Sequence, residues 1–349
     1  MHIKIAERLK PYSHLPGTYL MLPKSVYRCQ IFPTLLRVDD LSKPIPATIE
    51  EIQLPLTGPI SDFTIVQDLE KQQILVWGKS PEGHFRYSIK NSDDQSIIVQ
   101  FEKHPKELVS FTIQSKSPVR KFSVATSGER LSLGNHKAQD WELIRRRSDF
   151  AEIFPLWHRL GSLIEQPDQT CSPSSGTLLG ACKNAINAGS PELILAQFQS
   201  LFLTGFHSAL SPRTCDDDFN GLALPPLEAN RSPLDLISCG AQLIRSLFFQ
   251  EQKEQLSLLP ALPPEFHCGR FIDITCANQG LLSIEWTKKA MRCFTFSSSI
   301  PQKLTFQFCR GEKSCRLRVS HKDRGIVYVS GSQLDIQPGV NYWFDNFVR

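Results

Sequence analysis

Two short acidic segments carry the carboxylates that could perform acid–base chemistry. Cys215 to Gly221 contains three consecutive aspartates, among them Asp217 and Asp218, and Pro225 to Asn230 contains Glu228. Adjacent carboxylates repel one another, so partial burial would raise the pKa of one of them and keep it protonated. A carboxylic acid and an ionised carboxylate can together protonate a leaving oxygen and activate water. Asp217, Asp218 and Glu228 are therefore candidate catalytic residues, and a solvated turn is the alternative for the aspartates.

The segment from Leu131 to Trp141 brings polar and aromatic residues together at the predicted junction between strands and helices. An indole face stacks on the C–H-rich face of a sugar while polar groups bond its hydroxyls, so His136 and Trp141 are candidate substrate-binding residues. The alternative is a helix N-terminus at which Asp140 complements the dipole and Trp141 is buried. His207 is a further candidate binding residue, with a helix-end histidine as its alternative.

The sequence contains none of the usual motifs for a metal or a cofactor. Its ten cysteines form no Cys-x-x-Cys pair and no Cys/His cluster at zinc-finger spacing. The aspartate tract lacks the spacing of a calcium loop, and no glycine-rich loop could cradle a phosphate. We expect no metal, no cofactor and mostly buried, reduced thiols.

Length and composition describe a globular protein of more than one domain. The chain has 349 residues, of which 41% are hydrophobic and 21% charged, so a large core is available and a disordered class is excluded. The longest apolar stretch, Leu193 to Phe206, is interrupted by polar residues, so we expect no membrane span. The first ten residues mix charges and have no apolar core, which predicts no secretory signal and a cytoplasmic location.

The basic charge of the chain is concentrated near its end. The net charge is only +4, yet ten basic and three acidic residues lie between Glu285 and Arg324. Within this region Arg316 and Arg318 alternate with apolar residues, which predicts a half-buried strand with the arginines on its solvent side. A solvated strand face is the expected role and a phosphate-binding patch the alternative, so a nucleic-acid partner is unlikely on this pattern.

The periodicity of apolar residues predicts three consecutive regions. Residues 1–137 show alternating strands and read as an antiparallel β-sandwich, residues 138–255 switch to the helical period, and residues 256–349 return to strands as a second sandwich. Within the helical region, Ser190-Pro191 and Ser232-Pro233 are predicted helix starts, because serine caps free amides and proline suits the first turn. The fold class is therefore β, then α, then β.

The start of the third region resembles a known family. Leu256 to Phe266, followed by Gly269, Gly280 and Ile284 to Trp286, is similar to the segment that links the barrel and the C-terminal sandwich in glycoside hydrolase family ninety-five, the inverting α-L-fucosidases. The resemblance implies an N-terminal sandwich, a six-hairpin α/α-barrel and a C-terminal sandwich. Residues 138–255 have room for five or six helices, so we expect a shortened, partial barrel.

The resemblance also implies roles for residues before the last predicted helix. The Pro225 to Asn230 segment looks like the family's Pro-Pro-aromatic-Gln-x-Asp-Gly-Asn loop, and an ungapped match puts the family's aspartate at Asn230 and its glycine at Arg231. Asn230 and Arg231 then become substrate-binding candidates, and Glu228 would have to replace the missing base. Inverting hydrolysis needs two carboxyl groups ~6.5–9.5 Å apart.

These observations favour a carbohydrate-active protein related to six-hairpin glycosidases. It would bind oligosaccharide or act on it as a shortened glycoside hydrolase, with loss of activity slightly favoured because an amide at Asn230 cannot serve as a base. The alternative is a scaffold on the same fold that binds a protein partner.

Overall fold

The structure is a computed structural model. It describes residues 2–42, 46–92, 96–106, 109–113, 128–164, 178–207, 209–213, 232–276, 279–320 and 322–349. The chain is mixed α and β, is built mostly of strands, and has sheets in its N-terminal and C-terminal parts with the helices between them.

Ten strands lie in the described N-terminal part of the chain. They are β1 (Tyr12–Ser13), β2 (Thr18–Met21), β3 (Tyr27–Ile31), β4 (Leu35–Asp40), β5 (Ala47–Gln53), β6 (Ser61–Asp68), β7 (Gln73–Ser80), β8 (Gly83–Asn91), β9 (Ile97–Lys103) and β10 (Ser110–Ile113). One antiparallel sheet has the order β1-β6-β7-β8-β9-β10, and the other has the order β2-β3-β4-β5.

The two N-terminal sheets contribute to one buried core, and β8 shows the alternation of buried and exposed residues that this requires. In β8, Phe85, Tyr87 and Ile89 are buried, while their neighbours His84 and Arg86 are exposed. Gln67 on β6 donates through Nε2 to the carbonyl of Met21 on β2 at 2.7 Å, which ties the sheets together. This arrangement is the sandwich that the alternation predicts.

Five helices follow among the described residues. They are α1 (Trp141–Arg147), α2 (Phe150–Ser162), α3 (Leu178–Ala188), α4 (Pro191–Gly205) and α5 (Leu234–Phe248). None of the helices in the described part of the chain is long and apolar enough to cross a membrane.

The predicted helix starts are found, although the two serines behave differently. Ser190 precedes α4 but makes no side-chain capping bond. Ser232 precedes α5, accepts from the amide of Leu234 at 3.1 Å and donates to the carbonyl of Leu41 at 2.6 Å. The second serine therefore caps a helix and also ties it to the N-terminal sheets.

Helices α2 and α5 cross closely through glycine contacts. The Trp157 indole donates to the carbonyl of Ile237 at 3.1 Å, and a Cβ at Gly240 would lie only 2.3 Å from the Trp157 ring. At Gly161, a Cβ would meet Ala241 at 2.3 Å. The helices can approach this closely only because both positions lack a side chain.

The C-terminal sheets contain the remaining strands. They are β11 (Arg130–Ser132), β12 (Phe249–Gln252), β13 (Gln255–Leu258), β14 (Gly269–Cys276), β15 (Gly280–Thr287), β16 (Ala290–Ser298), β17 (Gln302–Phe308), β18 (Ser314–Arg318), β19 (Ile326–Val329), β20 (Gln333–Ile336) and β21 (Asn341–Val348). The larger sheet has the order β11-β14-β15-β16-β21-β18-β19, and the smaller has the order β12-β13-β17-β20.

Aromatic side chains fill the space between the two C-terminal sheets. Phe294 on β16 stacks on Phe344 of β21 with ring centroids 4.0 Å apart. Phe306 on β17, from the smaller sheet, lies 5.2 Å from Phe294 and 5.1 Å from Phe344. The expected second sandwich is thus formed, and it is closed by aromatic contacts across the sheets.

One strand that precedes the helices in sequence belongs to the larger C-terminal sheet. β11 comes before the helices in sequence, yet it pairs with β14 of the seven-stranded sheet, with Leu131 opposite Phe271. The larger C-terminal sheet therefore includes a segment from the predicted N-terminal region of residues 1–137.

A buried carboxylate holds this junction. Glu129, immediately before β11, has no exposed side-chain surface and receives Nε of Arg245 at 2.9 Å and Nη2 at 3.0 Å. The amide of Thr275 donates to it at 3.0 Å, and His158 Nε2 lies 3.5 Å away. Burial raises the pKa of Glu129, but the bonds with His158 and Arg245 outweigh that effect and the net shift is downward.

One described cysteine departs from the expected reduced state. Cys239 on α5 is disulfide-bonded, so the thiols are not all reduced. The described free cysteines are Cys29, Cys182, Cys268, Cys276, Cys293, Cys309 and Cys315.

Replacing Glu129 with glutamine should destabilise the protein strongly. Arg245 would lose the carboxylate charge that it pairs with, so we expect a loss of about 2–3 kcal/mol in the free energy of unfolding, measured by urea denaturation. The matched control is Glu51→Gln. Glu51 lies 2.6 Å from Arg37, but both side chains are exposed, so the free energy of unfolding of this variant should hardly change.

The pH dependence of the free energy of unfolding, compared between wild type and Glu129→Gln, is a second test of the Glu129 contact. Because folding lowers the pKa of Glu129, its contribution is present above the ordinary glutamate pKa and is lost as the pH falls through the folded-state value. The stability gap between wild type and Glu129→Gln should stay constant above the ordinary glutamate pKa of 4.5 and should narrow as the pH falls below it. A gap that stays constant below that pKa as well would contradict the assignment.

Candidate functional site

The predicted catalytic segment lies outside the described residues. Asp217, Asp218, Glu228, Asn230 and Arg231 all fall within residues 214–231. Their roles therefore remain predictions from the sequence.

Trp141 lies in the core. Its side chain is 3% exposed, and Asp140 caps α1 by accepting from the amides of Glu142 at 2.9 Å and Leu143 at 3.4 Å. This is the helix N-terminus that the sequence analysis gave as the alternative to a sugar site. His136 is exposed and lies beside these residues in the loop before α1.

His207 lies on a different side of α1. Its ring centroid is 5.4 Å from that of Tyr19, and its carbonyl accepts from the guanidinium of Arg145. Arg145 thus connects His207 to α1, whereas His136 lies near Glu7 of the N-terminal segment.

Two glutamates meet beside His136 with opposite pKa shifts. Burial raises the pKa of Glu7 above its ordinary value, and Ser132 donates to its carboxylate at 3.0 Å. Burial also raises the pKa of Glu152, but bonds from Arg147 and from Lys137, at 3.0 Å, outweigh it and lower the pKa. Opposed shifts are typical of acid–base pairs. The cavity between them measures only about 10 Å³, which excludes a sugar.

A larger groove lies on the solvent face of the seven-stranded sheet. Its volume is about 300 Å³, and it is lined by side chains from β14, β15, β16, β18 and β21. His2 and Ile3 of the N-terminal segment border it. The groove is therefore built on regular strands, which hold side chains more firmly than loops do.

Strand register places five groove residues in one row across the sheet. Thr295 pairs with Ser283 on one side and with Trp343 on the other, and Trp343 pairs with Arg318. Asp273 completes the row, since its amide donates to the Ser283 hydroxyl at 3.1 Å. Acid, hydroxyl, hydroxyl, indole and guanidinium thus follow one another across five neighbouring strands.

Small side chains form the floor of the groove and larger ones form its walls. A second row, parallel to the first, pairs Leu281 with Ser297 and Ser297 with Asn341. Serine and threonine in the middle of both rows leave space, whereas Trp343 and the 45% exposed Leu281 rise beside it. Hydroxyl groups can both donate and accept, so the floor can bond a polar ligand in several ways.

Alternation along the strands explains why these residues face outward. In β21, Tyr342 and Phe344 are buried in the sandwich, which turns Asn341, Trp343 and Asp345 to the solvent face. The same alternation along β16 places Thr295 and Ser297 on that face.

Asp345 fixes the aromatic wall of the groove. Its carboxylate accepts from the Trp343 indole at 3.0 Å, from Arg316 Nε at 2.8 Å and from the guanidinium of Arg318. Burial raises the pKa of Asp345, but these three donors lower it by more, and the net shift is downward. The two arginines of the predicted solvated strand face are thus partly neutralised by one acid.

Of the residues that line the groove, Arg318 stood out in the sequence, in the alternation with Arg316, and the others did not. The available signal was the segment Asn341 to Asp345, where a tryptophan occupies a polar position of an alternating strand. An indole on the outward face of a strand offers a flat surface on which a ligand can stack, so such a position is a candidate binding residue.

A wider depression on the six-stranded sheet has a different character. It encloses about 700 Å³ around Trp77, which is 36% exposed. Two of the cations at its rim have acidic partners, since Lys10 lies 2.7 Å from Asp68 and Arg86 lies 3.0 Å from Glu102. The depression therefore offers an aromatic face, but its described lining has no row of hydroxyl groups like the one in the groove of the seven-stranded sheet.

Comparison with known proteins leaves the groove as the main guide to function. Neither a protein-family model nor a curated protein sequence matches the chain. Among the described residues, no group of three or more His, Cys, Asp or Glu side chains is placed to hold a metal ion. The function must therefore be inferred from what the groove can bind.

Replacing Asp345 with alanine should release Trp343. Losing three bonds to a charged acceptor should cost about 2 kcal/mol in the free energy of unfolding and should speed exchange of the Trp343 indole N–H with solvent. That N–H signal can be assigned by its absence in Trp343→Phe and followed by NMR. Asp335→Ala is the control, because Asp335 is 72% exposed and 3.8 Å from Lys303. Unchanged indole exchange would show that Asp345 does not hold the wall.

Proposed function

We propose that the protein binds oligosaccharide in the groove of the seven-stranded sheet. The observation that carries this proposal is the row of Asp273, Ser283, Thr295, Trp343 and Arg318, in which hydroxyl and charged groups flank a half-buried indole. Sugars present C–H-rich faces and hydroxyl edges together, and this row offers a partner for each.

The dimensions of the row favour several sugar units. Neighbouring strands lie about 4.8 Å apart, so five strands span about 19 Å. A single monosaccharide would contact only part of that length. An extended oligosaccharide lying across the strands could stack on Trp343 while its hydroxyls reach Ser283 and Thr295.

Binding without hydrolysis is the activity we assign to the groove. Among the described residues that line it, Asp273 is the only carboxylate. Inverting glycoside hydrolysis needs a second carboxyl group ~6.5–9.5 Å away. Hydrolysis by this protein would thus depend on Glu228, Asp217 and Asp218, outside the described residues.

The relationship to six-hairpin glycosidases is part of the same proposal. The sandwich–helix–sandwich order supports it, as does the Leu256 to Phe266 segment between α5 and β14. In this view the helical region is a shortened α/α-barrel that has kept the architecture and changed the binding surface. Seven free thiols among the described cysteines, against one disulfide at Cys239, support the cytoplasm as its location.

Oligosaccharide binding should depend on Trp343. We expect isothermal titration with a panel that includes fucosylated and glucose-containing oligosaccharides to find one class that binds, and Trp343→Ala to weaken it at least tenfold. Trp77→Ala is the matched control, because Trp77 is also partly exposed on the solvent face of a sheet. The expected loss follows from removal of the stacking face.

A second variant distinguishes a specific loss of binding from misfolding of Trp343→Ala. Ser297→Tyr fills the floor of the groove at an outward strand position that accepts aromatic residues. It should abolish binding while the thermal transition stays close to wild type. Equal affinity in wild type, Trp343→Ala and Ser297→Tyr would overturn the proposal, as would equal losses in Trp77→Ala and Trp343→Ala.

A further inference from the structure

The last strand of the seven-stranded sheet has one side without a described neighbour. β19 pairs with β18 in an antiparallel register, with Val327 opposite Arg316 and Val329 opposite Ser314. In the sheet order β19 is terminal, so no described strand pairs with its other side. The outward backbone groups of an edge strand can accept a further strand.

The side chains of this edge are apolar and exposed. Ile326 is 66% exposed, Val327 74% and Val329 52%. Ser314 pairs with both Val329 and Val348, which places the 58% exposed Val348 in the same row. β-Branched residues strongly favour strands, and three of them on β19, with Val348 two strands further into the sheet, form a surface suited to strand addition.

Two other sheet edges of this protein, β5 and β11, carry charge or cover that β19 lacks. β5 at the edge of the four-stranded N-terminal sheet carries exposed Glu50 and Glu51. β11, at the opposite edge of the seven-stranded sheet, is covered by Glu7, which bonds Arg130 through its carbonyl and Ser132 through its carboxylate. Natural sheets commonly use charge or cover in this way, and β19 uses neither along its length.

β19 is nevertheless firmly anchored to the sandwich. Tyr328 is buried, and its ring lies 5.6 Å from that of Phe344 and 6.1 Å from that of Phe306. Its hydroxyl accepts from the Phe306 amide at 2.9 Å and donates to the Ser332 carbonyl at 2.5 Å. A partner strand would therefore meet an edge that is already ordered, which lowers the entropic cost of binding.

Positive charge lies at both ends of the edge. Lys322 and Arg324 are exposed just before β19, and the exposed Lys313 lies at its far end, where its carbonyl accepts from the Ser330 amide at 2.8 Å. The nearby Asp323 carboxylate is occupied by the amides of Val319 at 3.4 Å and Gly325 at 2.9 Å. These residues account for part of the basic charge that the sequence concentrates before Arg324.

We propose that β19 binds an extended, acidic segment of a partner protein as an added strand. Apolar residues alternating along the segment would contact Val327 and Val329, and acidic residues at its ends would meet Lys313, Lys322 and Arg324. This interaction is separate from oligosaccharide binding in the groove.

A second copy of the chain fits this edge less well. Antiparallel pairing of two β19 strands would bring Arg324 and Lys322 of one copy towards Lys313 of the other. Like charges in that position repel, whereas an acidic segment satisfies both ends. Charge complementarity therefore selects the acidic partner strand.

The test uses a labelled peptide that alternates valine and threonine between two acidic residues at each end. We expect NMR amide shifts of the full chain to concentrate at residues 326–329, and fluorescence polarisation to report saturable binding. Lys322→Glu with Arg324→Glu should weaken binding at least tenfold. Lys288→Glu with Lys289→Glu, an equal charge change in the turn between β15 and β16, should not.

Backbone pairing is tested with two further peptides that are N-methylated at alternate positions. Methylation on the side that faces β19 should abolish binding, and methylation on the other side should leave it unchanged. Equal binding of both peptides would overturn strand addition. So would equal losses in the two charge variants, amide shifts elsewhere on the chain, displacement of the peptide by duplex DNA, or a dimer in sedimentation that the peptide fails to dissociate.

Discussion

The bidentate contact between Glu129 and Arg245 is the interaction on which the remaining architecture depends. It joins the segment before β11 to α5, and the Thr275 amide ties both to β14. A carboxylate with no exposed surface is stable only when its charge is compensated, so these elements must be brought together for the chain to fold. Because β14 is one of the five strands under the groove, the same contact sets the position of the proposed binding surface. Loss of the carboxylate would thus affect both the helical layer and the sheet.

The groove and the edge strand show how one sandwich can present two surfaces. The aromatic contact of Phe294 with Phe344 fixes the strands from inside, so outward positions are free to vary without loss of the core. Small outward residues around Thr295 leave the groove open, whereas the β-branched residues of β19 form an exposed apolar edge. Asp345 lies between the two, holding Trp343 on one side and Arg316 on the other.

Sequence patterns predicted the elements better than the site. Alternation and the Ser-Pro helix starts identified both sandwiches and the start of α5, because these signals are local. The pairing of β11 with β14 could not be found this way, since it joins residues far apart in the chain. Trp141 shows the other limit: its type suggested stacking on a sugar, but the cap at Asp140 and its burial turn it into the core. Trp343 was missed because only strand register shows that it lies beside Thr295 and Arg318.

The central claim is that oligosaccharide binds across the row that contains Trp343, and an NMR titration of the tryptophan indole signals tests it most directly. The chain has five tryptophans, so each indole N–H can be assigned by single substitutions. Adding an oligosaccharide of the class that binds should shift the Trp343 signal saturably and leave those of the buried Trp157 and Trp286 in place. An oligosaccharide that binds the protein while the Trp343 signal stays fixed, or while the Trp77 signal alone moves, would contradict the account.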